Sequence, residues 1–269
     1  MPLFPPLPTA SLAHALEKHD SLRIGGVADG ALALVLAEIA RLKQANGADQ
    51  PALALFVARD GLRQAEVQGA LGALFPEIEI MGLPAWDCQP YDRASPNAGV
   101  LARRMEALAR LVRTRGGDRP RLVIASVNAV LQRLPPRDFV ARQSFSAAPG
   151  NAIHLETIAQ WAEANGYNRT STVRDVGEFA MRGGLVDLFP PGFGDPVRLD
   201  FFGDTLESIR AFDAETQRTH ATLRRLDLVP MSEFQLTSEA IRRFRQGYLA
   251  EFGANLRGDT LYEHVSDTQ

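Results

Sequence analysis

The chain contains a single cysteine, Cys88, among its 269 residues. An internal disulfide and a metal site built from several cysteines are therefore excluded. Its apolar runs fall well short of the roughly 20 residues that a membrane-spanning helix needs, so we expect no contact with a membrane. The N-terminal stretch MPLFPPLPTASLAHAL has no basic segment of an export signal, which predicts a cytoplasmic protein with an extended lead-in.

The net charge and the spacing of the histidines argue against further classes of function. The net charge of −3 argues against a protein that binds nucleic acid over its whole surface. The five histidines have no metal-ligand spacing among themselves, and no motif brings a nucleophile, a base and an orienting group together. We therefore expect no metal, no cofactor and no catalytic site in this chain.

The first half of the chain alternates between strand-like and helix-like segments. Runs rich in apolar residues predict strands at Leu22–Val27, Ala52–Ala58, Ile78–Met81 and Arg121–Val127. Helical periodicity predicts helices at Leu12–Leu16, Ala31–Gln44, Leu62–Leu74 and Gly99–Arg113. The run at 52–58 has no polar residue, which is typical of a strand buried on both faces of a parallel sheet. This alternation predicts an α/β domain.

The pattern changes at Pro135-Pro136, which break the chain. After them, Asp138–Ser146 predicts an edge strand and Leu155–Ala164 predicts a helix. Asn165-Gly166 follows that helix and is typical of a helix end. An α+β domain is therefore expected to follow the α/β domain.

A second change in composition comes at Pro230. Beyond it, Thr237 or Ser238 can cap a helix over Glu239–Phe252, which carries an apolar and aromatic stripe. We therefore predict three domains or parts of domains, at residues 1–136, 137–232 and 233–269.

Between residues 177 and 213, the sequence GEFAMRGGLVDLFPPGFGDPVRLDFFGDTLESIRAFD predicts two β-hairpins. The predicted strands are Glu178–Arg182 with Leu185–Phe189, and Val197–Phe202 with Thr205–Phe212. Gly183-Gly184 joins the first pair and Gly203-Asp204 joins the second, because glycine supplies the positive φ of a tight turn. Apolar and charged residues alternate along these strands, which predicts an antiparallel sheet with one buried face and one charged face.

The motifs GEFAMRGGLVDLFP and RLDFFGDTLESIRAFDAETQR resemble domain 2 of the UvrB family of excinuclease proteins. They are closer still to the corresponding N-terminal part of the bacterial transcription-repair coupling factors. The resemblance implies an α/β fold: a degenerate RecA-like (P-loop-type) parallel-sheet domain with an inserted small α+β antiparallel-sheet domain. In the family, the inserted domain is the docking surface for UvrA. Residues 233–269 are implied to begin a segment that returns to the first domain.

One segment lies where the family carries its nucleotide-binding loop. A working P-loop ends in Gly-Lys-Ser/Thr, because the lysine reaches the phosphates and the hydroxyl binds Mg²⁺. The resemblance aligns Gly26 with the first glycine of that loop, and Gly30 precedes its end. Ala31, Leu32 and Ala33 then stand in place of the final glycine, the lysine and the threonine. We therefore expect a relic loop that binds no nucleotide.

The resemblance also places the arginines that contact UvrA. They fall on Arg169, Ala180 and Arg182, so two arginines remain and one has become alanine. Arg174 is a secondary candidate. Arg182 points to the opposite face from Phe179 and Met181, so those two residues are expected to pack inward and Arg182 to point outward. The alternative is that each arginine is an ordinary solvated residue of a strand.

The segment around Trp86 and Tyr91 resembles an aromatic segment of the family. In UvrB a long hairpin that clamps DNA follows it, whereas here the chain continues directly into the predicted helix at Gly99. The two aromatic rings could stack on bases. We favour the alternative that they anchor the loop to the core, with Ser95 or Asn97 capping the helix.

Arginines are dense between positions 103 and 121. A basic face of this kind could contact DNA phosphates. We favour a solvated helix face on which the arginine stems cover apolar surface. The set is Arg103, Arg104, Arg110, Arg113, Arg115, Arg119 and Arg121.

Taken together, the resemblance implies a non-catalytic adaptor that recruits UvrA to lesions where RNA polymerase has stalled. Binding of RNA polymerase and ATP-driven movement on DNA would belong to the rest of the full-length protein. A C-terminal domain of that protein would cover the UvrA surface until the motor engages DNA. The alternatives are a UvrB-like ATPase that grips damaged DNA, and a scaffold without a role in repair.

Overall fold

The computed structural model describes residues 9–46, 53–89, 95–113, 119–235, 237–253 and 258–267. The chain separates into two compact units, Met1–Ser144 and Phe145–Gln269.

The first unit is built on a three-stranded parallel sheet. Its strands are β1 (Ala54–Ala58), β2 (Glu79–Leu83) and β3 (Arg121–Ser126), in the order β1-β3-β2. Its helices are α1 (Thr9–Lys18), α2 (Leu32–Asn46), α3 (Gly61–Leu74), α4 (Ala98–Arg113), α5 (Val127–Leu131) and α6 (Arg137–Gln143). The predicted alternation of strands and helices is therefore confirmed from β1 to β3.

The two faces of this sheet are covered differently. Helices α2 and α3 pack on one face and form a core with β3, including Leu36, Leu71 and Ile124. On the other face, β2 packs against α4, whereas Leu55 and Val57 of β1 are exposed. The prediction that this strand is buried on both faces is wrong, because β1 is an outer strand of the described sheet and only one of its faces is covered.

Two predicted strands are absent from the first unit. Leu22–Val27 forms no strand in the described residues, and its Leu22 and Ile24 side chains are exposed. Asp138–Ser146 is mostly the helix α6, and only Phe145–Ala147 is a strand. In α6, Asp138 and Arg142 form an ion pair of 2.6 Å one turn apart, an arrangement that supports a helix.

The second unit is dominated by antiparallel strands. Its strands are β4 (Phe145–Ala147), β5 (Asn168–Arg169), β6 (Glu178–Arg182), β7 (Leu185–Leu188), β8 (Val197–Phe202), β9 (Thr205–Phe212), β10 (Thr219–Leu223) and β11 (Leu226–Leu228). They form a six-stranded sheet, in the order β10-β9-β8-β7-β6-β5, and a two-stranded sheet of β11 and β4. Both predicted hairpins are confirmed, β6 with β7 and β8 with β9.

The six-stranded sheet has an inner and an outer face, set by strand alternation. Its inner face carries fully buried side chains, namely Phe179, Val186, Leu188, Val197, Leu199 and Ile209. Its outer face carries Ala180, Arg182, Asp187, Arg198, Asp200 and Arg210. The prediction of one buried and one charged face is therefore confirmed. A small apolar cluster of Val173, Ala180 and Phe212 interrupts the charged face.

Three helices complete the second unit: α7 (Leu155–Ala164), α8 (Ser238–Phe252) and α9 (Thr260–Asp267). The predicted cap is confirmed, since the Thr237 hydroxyl accepts a hydrogen bond of 3.1 Å from the backbone N–H of Ala240. The expected aromatic stripe of α8 packs against Tyr262 of α9 through Phe244 and Tyr248.

The division into three parts at 136 and 232 stays a prediction. Helix α6 lies in the first unit, where it packs against α4. Its Arg137 donates a hydrogen bond of 3.1 Å to the backbone oxygen of Val112. The first unit therefore extends through α6 as far as Ser144.

Candidate protein-docking site

The β6–β7 hairpin fixes the position of Arg182. Gly183 has a φ of +58°, which favours glycine. At Gly184, an added Cβ would lie 2.7 Å from the backbone oxygen of Phe201, so the neighbouring strand leaves room only for hydrogen. Two glycines therefore close the turn tightly and place Arg182 at the last position of β6, with its side chain half exposed.

Arg182 belongs to an ion-pair network on the outer face. The Asp187 side chain is almost fully buried and accepts three hydrogen bonds. Arg198 donates two of them, from Nε at 2.7 Å and from Nη2 at 2.8 Å, and Arg182 donates the third from Nη2 at 3.1 Å. The Arg198 guanidinium also lies over the Phe212 ring, 4.7 Å from its centroid. Asp187 therefore holds both guanidinium groups in defined positions.

The ion pair with Asp187 offsets the cost of burying the Arg198 charge. The hydrogen bonds with Asp187 raise the pKa of the Arg198 guanidinium, against the lowering effect of burial. A second pair lies beside it, where Arg210 Nη2 donates to Asp200 Oδ2 at 2.6 Å. Most charges of the outer face are thus paired within the sheet. Of the two arginines that bind Asp187, Arg182 is the more exposed.

Arg169 lies on the other side of the sheet from Arg182. It belongs to the short strand β5, where it is in register with the buried Phe179 of β6. Its exposed side chain approaches Glu163 of α7, with 3.6 Å between Nη1 and Oε1. Arg182 follows Phe179 by three positions and therefore faces the opposite side. The two predicted arginines are both exposed, and they bracket the β5–β6 edge rather than sharing one face.

Arg174, the secondary candidate, lies in the segment between β5 and β6. Its side chain is exposed, and its backbone N–H donates a hydrogen bond of 2.8 Å to Glu178 Oε2. Asp175 donates to the same oxygen at 3.0 Å. This bend therefore holds Arg174 next to the start of β6, close to the edge that Arg169 and Arg182 bracket.

The predicted relic loop has a different structure from a nucleotide-binding loop. Residues 22–28 form neither a helix nor a strand, a 3₁₀ turn spans Asp29–Ala31, and α2 begins at Leu32. Gly26 has a φ of +73°, and Gly30 lies in the exposed turn. Ala33, which stands at the position of the threonine, packs into the core of the first unit. A side chain there points into the core rather than toward a phosphate.

The aromatic segment is anchored as expected at its first ring. Trp86 lies over the guanidinium of Arg104, 5.4 Å from the ring centroid, and its backbone N–H donates to Gln132 Oε1 at 3.0 Å. Asn97 Oδ1 accepts a hydrogen bond of 2.8 Å from the backbone N–H of Gly99, which confirms the predicted cap. Tyr91 lies outside the described residues.

The expected solvated arginine face is wrong in part. Arg104 is fully buried and donates hydrogen bonds to the backbone oxygen of Pro84, at 2.7 Å, and to Gln132 Oε1, at 3.1 Å. Arg110 and Arg121 both bind Glu79, at 3.0 and 2.9 Å. These three arginines hold elements of the first unit together. Arg103 and Arg113 are exposed, and Arg115 lies outside the described residues.

Metal-ligand clusters and membrane-spanning helices would indicate other functions. Among the described residues, no group of three or more His, Cys, Asp and Glu side chains could hold a metal ion. Within the same ranges, no helix is long and apolar enough to cross a membrane.

Comparison with known proteins identifies a domain family and relatives that this chain resembles. Residues 145–234 match the family model of the UvrB interaction domain. The transcription-repair-coupling factor of Rickettsia bellii is 35% identical over 196 residues, which cover 72% of this chain and 17% of that protein. The transcription-repair-coupling factor of Haemophilus influenzae is 30% identical over 251 residues, or 93% of this chain and 21% of that protein. The chain is a homologue of the transcription-repair-coupling factors.

The Escherichia coli factor is 32% identical over 192 residues, which cover 71% of this chain and 16% of that protein. This chain thus matches about a sixth to a fifth of the length of these coupling factors. The family model begins at residue 145, which is also where the second unit begins. All three predicted docking arginines lie within the matched residues.

Three residues of the outer face are not among the site residues predicted from the sequence. Asp187 and Arg198 form the buried part of the network, and Phe202 exposes its ring at the end of β8. A signal for the first two is present, because Gly183-Gly184 fixes the register of β6 and β7, and Arg198 of β8 is in register with Asp187 of β7. Strand alternation predicts that Phe202 faces away from the buried Phe201, but it does not predict how far the ring is exposed.

Proposed function

We propose that this chain is a non-catalytic adaptor module that recruits UvrA in transcription-coupled nucleotide excision repair. The observation that carries the proposal is the half-exposed Arg182, which is paired with Asp187 on the β6–β7 hairpin inside the UvrB interaction domain match. An arginine held in place loses little side-chain entropy when it binds a carboxylate of a partner. The residues proposed to contact UvrA are Arg169, Arg182 and Arg174.

The position of the arginines defines how UvrA would bind. Arg169 and Arg182 lie on opposite sides of the sheet next to the β5–β6 edge. UvrA can contact both only by covering that edge. Because β5 is the last strand of the six-stranded sheet, the described strands leave the edge accessible.

We also propose that this chain neither binds nor hydrolyses a nucleotide. The first unit is proposed to be a degenerate RecA-like domain, in which Leu32 and Ala33 replace the phosphate-binding lysine and the magnesium-binding hydroxyl. These substitutions argue against the alternative of a UvrB-like ATPase. Contacts with RNA polymerase and DNA, and a C-terminal domain that covers the UvrA surface, are proposed for the parts of the coupling factors that this chain does not span. We expect the cytoplasm as its location.

Calorimetric titration of the chain with purified UvrA tests the proposal. Cutting an interface arginine to alanine typically costs about 1–4 kcal/mol, so the double variant Arg169→Ala/Arg182→Ala should lose detectable binding. The control is Arg142→Ala, which removes an exposed, ion-paired arginine from the first unit and should leave the affinity unchanged. Circular dichroism monitors folding. Unchanged affinity of a folded double variant would refute the assignment of the arginines.

A further inference from the structure

Phe202 is an exposed aromatic residue on the outer face of the six-stranded sheet. Side chains of β8 alternate, so Val197, Leu199 and Phe201 are buried and Phe202 faces the opposite side. The Phe202 residue is 77% exposed, a value that only Leu131 matches among the large apolar residues of the described chain. It lies next to the tight turn at Gly203, so the sheet presents the ring at its end.

The ring shares its face with Arg182. In register, Arg182 of β6 is opposite Leu185 of β7, and Leu185 is opposite Asp200, two residues before Phe202. Two strand spacings and two residues along a strand separate the Cα atoms of Arg182 and Phe202 by roughly 12 Å. Both side chains can therefore contact one partner surface.

A hollow of about 340 Å³ lies on the same face, beside Arg182. It is lined by Thr172, Arg182, Leu185, Arg198 and Gln217. Two guanidinium groups line this hollow, and Asp187 is the carboxylate that binds both of them. An acidic side chain of a partner would find net positive charge there.

We propose that Phe202 is the apolar anchor of the docking surface whose charged part is Arg182. The inference rests on the proposed function and specifies the partner chemistry: a surface of UvrA with a carboxylate for the hollow and an apolar depression for the ring, roughly 12 Å apart. Aromatic residues and arginines are enriched among the interface residues that contribute most binding energy. The remaining charges on this face, Asp187 with Arg198 and Asp200 with Arg210, are paired within the sheet.

The test compares UvrA affinities of single variants of this chain by calorimetry. Phe202→Ala should weaken binding by about 10- to 100-fold, the range of a hot-spot residue. Phe202→Leu keeps an apolar side chain and should recover most of that loss. Leu131→Ala removes an equally exposed apolar side chain from the first unit and should bind like the wild type.

Salt dependence separates the two parts of the surface. Arg182→Ala should reduce the slope of log Kd against log salt concentration, because it removes a charge contact. Phe202→Ala should leave that slope unchanged while it weakens binding at every salt concentration. Each variant is checked by circular dichroism, and the 77% exposure of Phe202 predicts that the fold is retained.

The outcomes distinguish the inference from the proposed function. If Phe202→Ala binds within twofold of the wild type while Arg182→Ala is weakened, the anchor is refuted and UvrA recruitment stands. If the wild-type chain does not bind UvrA, recruitment and the anchor are both refuted. If Phe202→Leu binds as weakly as Phe202→Ala, a simple apolar contact is refuted.

Discussion

Replacing Arg198 by alanine should destabilise the second unit more than any other single arginine change on the outer face. The variant leaves Asp187, whose side chain is only 3% exposed, with one remaining hydrogen bond of 3.1 Å from Arg182. Breaking a buried ion pair by removing one partner costs about 3–5 kcal/mol. Because Arg182 still compensates part of the charge, we expect about 3 kcal/mol, which includes the lost stacking on Phe212.

Arg210→Ala is the matched control. It removes the same chemical group from the same face, but Arg210 and its partner Asp200 are 37% and 33% exposed. Water can replace the lost contact there, so the expected cost is below about 1 kcal/mol.

The assay is urea unfolding followed by tryptophan fluorescence. Trp161 lies in the second unit, where it packs on Tyr167, so a Trp86→Phe background makes the signal specific for that unit. Equal losses for Arg198→Ala and Arg210→Ala would refute the reasoning from burial. A further check is the double variant Arg198→Met/Asp187→Leu, which removes both charges and should recover much of the loss.

Three further predictions concern other parts of the chain. Burial raises the pKa of Glu79, but hydrogen bonds from Arg121 and Arg110 lower it more, below its ordinary 4.5. The stabilisation from these ion pairs is complete above pH 4.5, and it is lost as the pH falls through the lower pKa that Glu79 has in the folded protein. Glu79→Gln should therefore lower the unfolding free energy most at neutral pH and less in acid. Urea unfolding at each pH measures this difference. Gly177→Ala should lower the unfolding free energy by about 1–3 kcal/mol, because its φ is +88° and the new methyl group would lie 2.5 Å from the Met231 side chain. The control is Gly194→Ala, where the methyl group would enter open space and the unfolding free energy should not change in the same assay. Finally, calorimetry should detect no binding of Mg-ATP; saturable binding at micromolar concentration would contradict the relic loop.

The hairpins could be predicted because their signals are local. Alternation along Val197–Phe202 and the glycine at position 203 fix the strand, the turn and the faces without information from distant residues. The short strands β10 and β11 have weaker local patterns, and β11 gains its pairing from β4, about 80 residues away in the chain.

The wrong predictions fall where contacts with other parts of the chain decide the structure. Asp138–Ser146 alternates like a strand, but α6 is stabilised by an ion pair one turn apart and packs on α4. The apolar residues of Leu22–Val27 favour a strand, but this segment gains no ladder partner in the described sheet. Arg104 has an ordinary position in an amphipathic helix, yet its acceptors, Pro84 and Gln132, come from other parts of the chain.

The face of β1 that the described residues leave exposed has a practical consequence for work with this chain. An outer strand with exposed leucine and valine is a template for pairing with strands of other molecules. We therefore expect β1, with its exposed Leu55 and Val57, to promote aggregation in concentrated solutions. Leu55→Lys would place a charge on this strand while leaving the second unit intact. Such a variant is the better starting material for quantitative binding experiments, because self-association would otherwise compete with the complex under study.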